Sequence, residues 1–366
     1  MTPVHGGDLT AIGRDFGCDP SALLDFSVNV NPYGPPAAVS AVLRAAAEQP
    51  SLLGGYPDPQ ARELTVALAA RAAVAEEQIV VANGNAALLD VSVRALAVRR
   101  CVVPVPAFSE YAHALAAAGA EMIPFELHAD TAFALDPRRL IARVREARAD
   151  ACILSNPHNP TGRGEPGAGV AEIAAALEGE SCATIVDEAF VDYAPELSVL
   201  DAGRTLGART IVLRSLTKFF AIPALRIGYG AVPVAIAERI RALLPSWPVG
   251  TLEQQAALAV LADAPYAREA LRANATARAV LVSELERLGA RTFAPAANFV
   301  FCDVRRLAAD AAALRAALIR EYGIVVRAFD NPAYIRLAVR TPEENTRLIC
   351  ALSACAANRQ LEKVRL

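Results

Sequence analysis

The sequence predicts an α/β protein, with a mostly parallel sheet covered by helices on both faces in a large domain and a smaller α+β domain beside it. Two observations predict this. Apolar runs of four to six residues, bounded by turns, alternate with amphipathic helical stretches through the middle of the chain, the pattern of parallel strands buried on both faces. After Trp247 the texture changes to long helical stretches followed by scattered strands. In order, "EQIVVANG" reads as a strand running into a glycine turn and "NAALLDVSVRALAV" as the helix after it. "RRCVVPVP" is a strand and "SEYAHALAAAGA" a helix; "ACILSNP" is a strand ending in a polar loop, and "VAEIAAALEG" is the next helix. "CATIVDEAF" and "TIVLRSLTK" are strands. A helical region from about Leu252 to Leu288 precedes "NFVFCDV", a helix, "GIVVRAF", "YIRLAVR" and a final helix from Pro342. The loop-rich first fifty residues, with "NVNPYGPP", are expected to cross back to the smaller domain. The large domain is placed at residues 50–250, and the smaller one at 1–49 together with 251–366.

Bulk composition narrows the function class. A chain of 366 residues, 54% hydrophobic and 20% charged, fits a well-buried globular enzyme and argues against disorder. A net charge of −3 gives no electrostatic footprint for nucleic acid or an acidic membrane, so neither partner is expected. No uncharged apolar run reaches about 18 residues, and the start, "MTPVHGGDLTAIGRDFG", lacks the basic and apolar regions of a signal peptide. A cytoplasmic protein is the expectation. The seven cysteines form no CxxC pair and sit largely in apolar strand contexts, so they read as reduced core residues without disulfides. Four scattered histidines have no ligand spacing, and no metal site is expected.

Ligand crevices in open parallel sheets lie beyond the carboxyl ends of the strands. Four polar clusters fall there: "NGN" at 83–85, "NPHNPTG" at 156–162, "DEAF" at 187–190, and Ser215 with Lys218 and Arg226. Taken singly, each has an ordinary explanation. Gly84 suits a turn, and so does Asn159-Pro160-Thr161-Gly162; Asp187 suits a helix cap. Lys218, beside Phe219 and Phe220, could lay its stem on the core and its ammonium in water. The alternative is that the amine is a reagent.

The set in this order resembles the fold-type-I enzymes that use pyridoxal 5′-phosphate, the aspartate aminotransferase superfamily, over nearly the whole chain. The resemblance is carried by "NPHNPTG", a "DEA" 28 residues after Asn159, "SLTK", and an arginine eight residues past the lysine. It implies that Lys218 holds the cofactor aldehyde as a Schiff base, and an apolar setting favours the free amine over the ammonium. Asp187 matches the carboxylate that keeps the pyridine nitrogen protonated, and Asn159 the donor to the ring's phenolic oxygen. Ser215, Arg226 and the backbone N–H groups of Gly84 and Asn85 match the phosphate site, where helix starts and guanidinium forks are natural partners. Phe108 aligns with the residue that stacks on the ring. Tyr56, in "GGYPDP", resembles the tyrosine contributed to the neighbouring subunit's site, which implies a homodimer. Arg336 resembles the arginine that grips the substrate α-carboxylate, with Arg340 as the alternative.

Within the superfamily the chain looks similar to the histidinol-phosphate aminotransferase group, which includes the L-threonine-O-3-phosphate decarboxylases of cobalamin biosynthesis. "HGGD", "LLDFSVNVNPYGPP" and "SLTKFFAIPALRIGY" lean to the decarboxylases. Phe190 stands where many aminotransferases carry a tyrosine that also bonds the ring oxygen, a loss worth about 0.5–1.5 kcal/mol. Ala224 stands where glycine is usual, a small change. The implied substrate is a phosphorylated amino compound, with His5, Asn31 and the Arg327 region as candidates for its phosphate. Transamination of histidinol phosphate or an aromatic amino acid stays open. So do two remoter readings: a regulator with a cofactor-binding sensor domain, for which no DNA-binding module is visible, and a degenerate structural protein.

Overall fold

The computed structural model describes residues 6–200 and 205–364. The chain divides into two compact units. Among the described residues the first takes Gly34–Asn159 and Arg163–Arg268, and the second takes 6–33, Pro160–Gly162 and 269–364.

The first unit is built on a seven-stranded sheet. Its order is Ile79–Ala82, Gly228–Ala231, Thr210–Ser215, Ala183–Asp187, Ala151–Ser155, Arg100–Val105 and Glu121–Glu126. Gly228–Ala231 pairs antiparallel with both of its neighbours, and every other pairing is parallel. Six strands therefore run one way and one runs back, as a mostly parallel sheet predicts. The central strands are buried along their length, save Ser155 at the end of one, which is why they read as unbroken apolar runs rather than alternating ones. Glu121–Glu126 lies at the sheet edge and alternates between exposed and covered side chains. Helices follow most strands. Asn85–Ala95 and Ser109–Ala117 turn Leu88, Val91, Tyr111 and Leu115 into a core shared with Val103, Ile153, Ile185 and Ile211. Burying side chains of this size contributes about 1.5–3 kcal/mol each.

The second unit holds a four-stranded antiparallel sheet in the order Arg327–Ala328, Tyr334–Ala338, Phe299–Asp303, Arg291–Thr292. A short parallel pair joins Leu24–Asp25 to Ile324–Val325. The early chain thus supplies a strand to this unit. Leu281, Leu285, Val300, Leu318, Ile335 and Leu348 pack into its core. Among the described residues no helix is long and apolar enough to cross a membrane.

Candidate active site

Because six strands of the first unit are codirectional, their carboxyl ends share one edge. Register places Ser155 beside Asp187, and Ser215 beside Gly228, which also pairs with Ala82. The reversed strand starts at this edge, so Arg226 joins it from the opposite chain direction. Gly84, Phe108, Asn159, Asp187, Ser215, Lys218 and Arg226 therefore all lie on or just past strand ends of one edge.

Asp187 closes a fully buried strand and is itself 6% exposed. Its carboxylate takes three donors. Tyr111 Oη donates to Oδ2 at 2.7 Å, while Asn85 Nδ2 and the Ala189 N–H donate to Oδ1 at 2.8 and 3.0 Å. Burial holds the carboxyl above its ordinary value, against the opposing pull of Tyr111, the Ala189 N–H and Asn85. Burial, and then the Asp187 charge, push the Tyr111 phenol well above its usual range, so it stays protonated and donates. Asn85 has its other amide atom, Oδ1, buried without a hydrogen-bond partner.

Asn85 opens a helix whose N-cap, Gly84, offers no side chain. The first-turn amides of a helix have no intrahelical acceptors and carry the positive end of its dipole. Gly84 has φ +85°, and a Cβ there would lie 2.6 Å from Arg226 Nη2. Only glycine lets the guanidinium come so close. A Cβ on Gly228 would meet the Asn85 nitrogen at 2.8 Å, so a second glycine lets the reversed strand pass under the helix start. The Gly84 amide, expected as a phosphate donor, points instead at the Ala82 carbonyl at 2.7 Å. Arg226 is exposed and donates Nη1 to the Pro223 carbonyl at 3.1 Å. Ser215 Oγ lies 2.8 Å from Thr217 Oγ1.

Lys218 is half-buried in the turn after Ser215. Phe219 and Phe220 beside it are 2% and 1% exposed and meet edge to face at 5.1 Å. Tyr193 Oη donates to the Lys218 carbonyl at 3.4 Å, and the Tyr193 ring packs on Phe219 at 5.0 Å. The Asn159 N–H donates to Ser155 Oγ at 3.2 Å. Phe108 caps the helix Ser109–Ala117 and meets Tyr111 edge to face at 5.7 Å. Phe190 is buried. Tyr56 is 81% exposed, its ring stacked on Trp247 at 4.3 Å.

Two residues here carry little signal in the sequence. Tyr111 looks like an ordinary aromatic on a helical face; its signal is its place one turn after Phe108 on a helix that starts at the same edge. Glu188 stands in the sequence only as the middle of "DEA". It is buried and paired with Arg214 at 2.9 Å, a structural ion pair directly behind Asp187.

The substrate candidates fall in the second unit. Arg327 and Arg336 are directly opposed across an antiparallel pair, so their side chains leave the same face with Cβ atoms about 5 Å apart. Arg336 Nη2 donates to the Ser27 carbonyl at 2.9 Å, and its guanidinium lies over the Phe299 ring. Burial, and then the Arg327 charge, disfavour the Arg336 cation, with Asp25 opposing them. Arg340 is placed differently. It lies beyond the strand end, with Nε and Nη2 on Glu344 and Nη1 on the Asp25 carbonyl. Asn31 is buried and accepts from the Tyr33 N–H at 3.2 Å. His5 lies outside the described residues.

Comparison with known proteins gives a consistent family. The Aminotransferase class I and II model matches residues 21–352. Histidinol-phosphate aminotransferase 2 of Pseudomonas aeruginosa is 31% identical over 97% of this chain and 95% of that protein. Threonine-phosphate decarboxylase of Salmonella typhimurium is 30% identical, covering 95% of each chain. The adenosylcobalamin biosynthesis bifunctional protein CobDQ of Leptospira interrogans is 28% identical over 96% of this chain, which spans only 41% of that protein. Among solved structures, histidinol-phosphate aminotransferase from Sinorhizobium meliloti in complex with pyridoxal 5′-phosphate superposes with a TM-score of 0.87. It is 24% identical, and the match covers 96% of this chain and 95% of that one.

Proposed function

The chain belongs to the aminotransferase class I and II family, whose enzymes work with pyridoxal 5′-phosphate, and from that premise we propose that it decarboxylates O-phospho-L-threonine, a step of cobalamin biosynthesis. The observation that carries this choice is the opposed pair Arg327 and Arg336. Two adjacent guanidiniums favour a small molecule with two adjacent anionic groups. Phosphothreonine presents a carboxylate and a phosphate a few bonds apart in one substrate; histidinol phosphate presents only the phosphate, so the aminotransfer reading would have to use the pair for the two carboxylates of 2-oxoglutarate. Arg336 takes the carboxylate and Arg327 the phosphate, with Arg340 left to its bond with Glu344.

The first unit fits the cofactor. A buried carboxylate held by neutral donors suits a cationic ring nitrogen, and the glycine-made approach of Arg226 to a helix start suits a phosphate. In this reading Asp187 faces the ring nitrogen, Asn159 the ring oxygen, Phe108 the ring face, and Ser215, Arg226 and the Asn85 N–H the phosphate. Bound there, the cofactor supplies an electron sink for the substrate α-carbon. Lys218 presents Nζ as nucleophile and proton carrier, and Phe219 and Phe220 keep water from it. Lys218 Nζ, as the ammonium, would donate the proton that takes the place of CO₂ on the α-carbon. Tyr56 serves the second subunit of a homodimer; its 81% exposure in the single chain supports that reading.

Aminotransfer from histidinol phosphate is the second reading, favoured by the Pseudomonas relative. Purified protein given O-phospho-L-threonine is expected to release CO₂ without 2-oxoglutarate. Amino transfer from histidinol phosphate to 2-oxoglutarate, with no CO₂ from phosphothreonine, would sink the decarboxylase reading.

A further inference from the structure

The Asp187 carboxylate is gripped on both oxygens, and the grip on Oδ2 comes from a residue outside the family motifs described above. Tyr111 is 2% exposed, and its single phenolic proton goes to Oδ2 at 2.7 Å. Its ring is anchored by the helix Ser109–Ala117 and by edge-to-face contact with Phe108. Oδ1 is held independently by Asn85 Nδ2 and the Ala189 N–H. A carboxylate so deeply buried is costly to ionise, and each donor that binds only its charged form offsets that cost. Lys218 and Arg226 lie on the same edge as Asp187 and belong to the assigned cofactor site. Glu188 is paired with Arg214, and His158 is kept neutral by burial.

We propose that Tyr111 is a positioning residue of this site, fixing Asp187 as an ionised and oriented counter-charge for the cofactor's ring nitrogen. The proposal rests on the cofactor assignment above. Tyr111 acts through Asp187 and not on the substrate, so its removal shifts the proton affinity of the carboxylate while the lysine and the phosphate site stay intact. A charge-assisted hydrogen bond of ordinary strength corresponds to about one pH unit or somewhat more.

The test is equilibrium binding of pyridoxamine 5′-phosphate to cofactor-free protein across pH; this probe has the ring nitrogen and the phosphate but no aldehyde to react with Lys218. Wild-type affinity is expected to fall on the acid side as Asp187 takes a proton. In Tyr111→Phe that acid limb moves up by about one pH unit. Replacing Tyr111 by 3-fluorotyrosine, a stronger donor of the same shape, moves it down. In an Asp187→Asn background Tyr111→Phe is silent. An unmoved limb in Tyr111→Phe, or the same shift in the Asp187→Asn background, would overturn the proposal. If Tyr111→Phe fails to fold by circular dichroism, the fluorotyrosine protein decides in the same way. A wild-type protein that binds no pyridoxamine 5′-phosphate at neutral pH overturns the cofactor assignment itself, and this proposal with it.

Discussion

Replacing Glu188 by glutamine should destabilise the first unit severely while leaving the shape of the side chain unchanged. Glu188 Oε2 accepts from Arg214 Nε at 2.9 Å and from Ser198 Oγ at 3.0 Å, and Oε1 accepts from the Val199 N–H at 2.7 Å. Arg214 spends its other nitrogens on Ser198 Oγ at 2.5 Å and Tyr229 Oη at 3.3 Å. The two side chains are 0% and 9% exposed, so water cannot replace a lost partner. The amide removes the counter-charge and turns its NH₂ group toward one of the existing donors. Breaking a buried pair from one side costs about 3–5 kcal/mol. The surviving contacts to Ser198 and Tyr229 place the loss at the lower end, about 3 kcal/mol. In urea unfolding at saturating cofactor, followed by circular dichroism, the midpoint should fall by about 1 M. Adding Arg214→Met should recover part of the loss, a coupling of at least about 1 kcal/mol. A midpoint within about 0.3 M of wild type, or a double variant worse than the sum of the singles, would refute the reasoning.

Lys218→Ala should fold normally yet show no cofactor fixed to the chain after borohydride reduction, by mass spectrometry, where wild type shows one per chain. Gly84→Ala places a Cβ at φ +85°, 2.6 Å from Arg226 Nη2. The strain and the displaced guanidinium should weaken cofactor binding about tenfold, read by titration of the cofactor-free protein. Burial lowers the His158 pKa from 6.5 to about 4. The unfolded chain therefore binds the extra proton first, so the contribution of neutral His158 is complete above pH 6.5 and is lost as pH falls toward 4. It amounts to about 3 kcal/mol, and His158→Asn should flatten that limb of the urea midpoint against pH; an unchanged slope would disprove it.

The sheet, and the gathering of most of the candidate cofactor residues at one of its ends, were legible because the information is local. Buried parallel strands such as "ACILS" and "ATIVD" announce themselves as apolar runs, and polar residues just past them mark the ligand edge. Two strands of the seven-stranded sheet leave no such signal, for physical reasons. Gly228–Ala231 has two glycines in four residues and no apolar run, because its Cβ positions are filled by the Asn85 helix start and neighbouring strands. Glu121–Glu126 is an edge strand with a proline and two charges. Partners of Asp187 were hidden differently. Tyr111 and Asn85 lie 76 and 102 residues from it in the chain, and only tertiary register brings them to its two oxygens. The opposition of Arg327 and Arg336 depends in the same way on strand pairing, which periodicity does not report.

The single reversed strand has a consequence for how such a catalyst can diversify. Because Ser215 pairs directly with Gly228, the twelve residues 216–227 form a loop closed at both ends by the sheet. A parallel connection would have needed a crossover carrying the chain to the far edge. The closed loop fixes the tether length between Lys218 and Arg226, so an insertion of even one residue would detune one of them against the other. Novelty is therefore barred from this segment and displaced to parts of the chain that the sheet does not clamp. With Lys218 as the proposed reagent, a lineage can keep it and trade the groups that choose which molecule meets it.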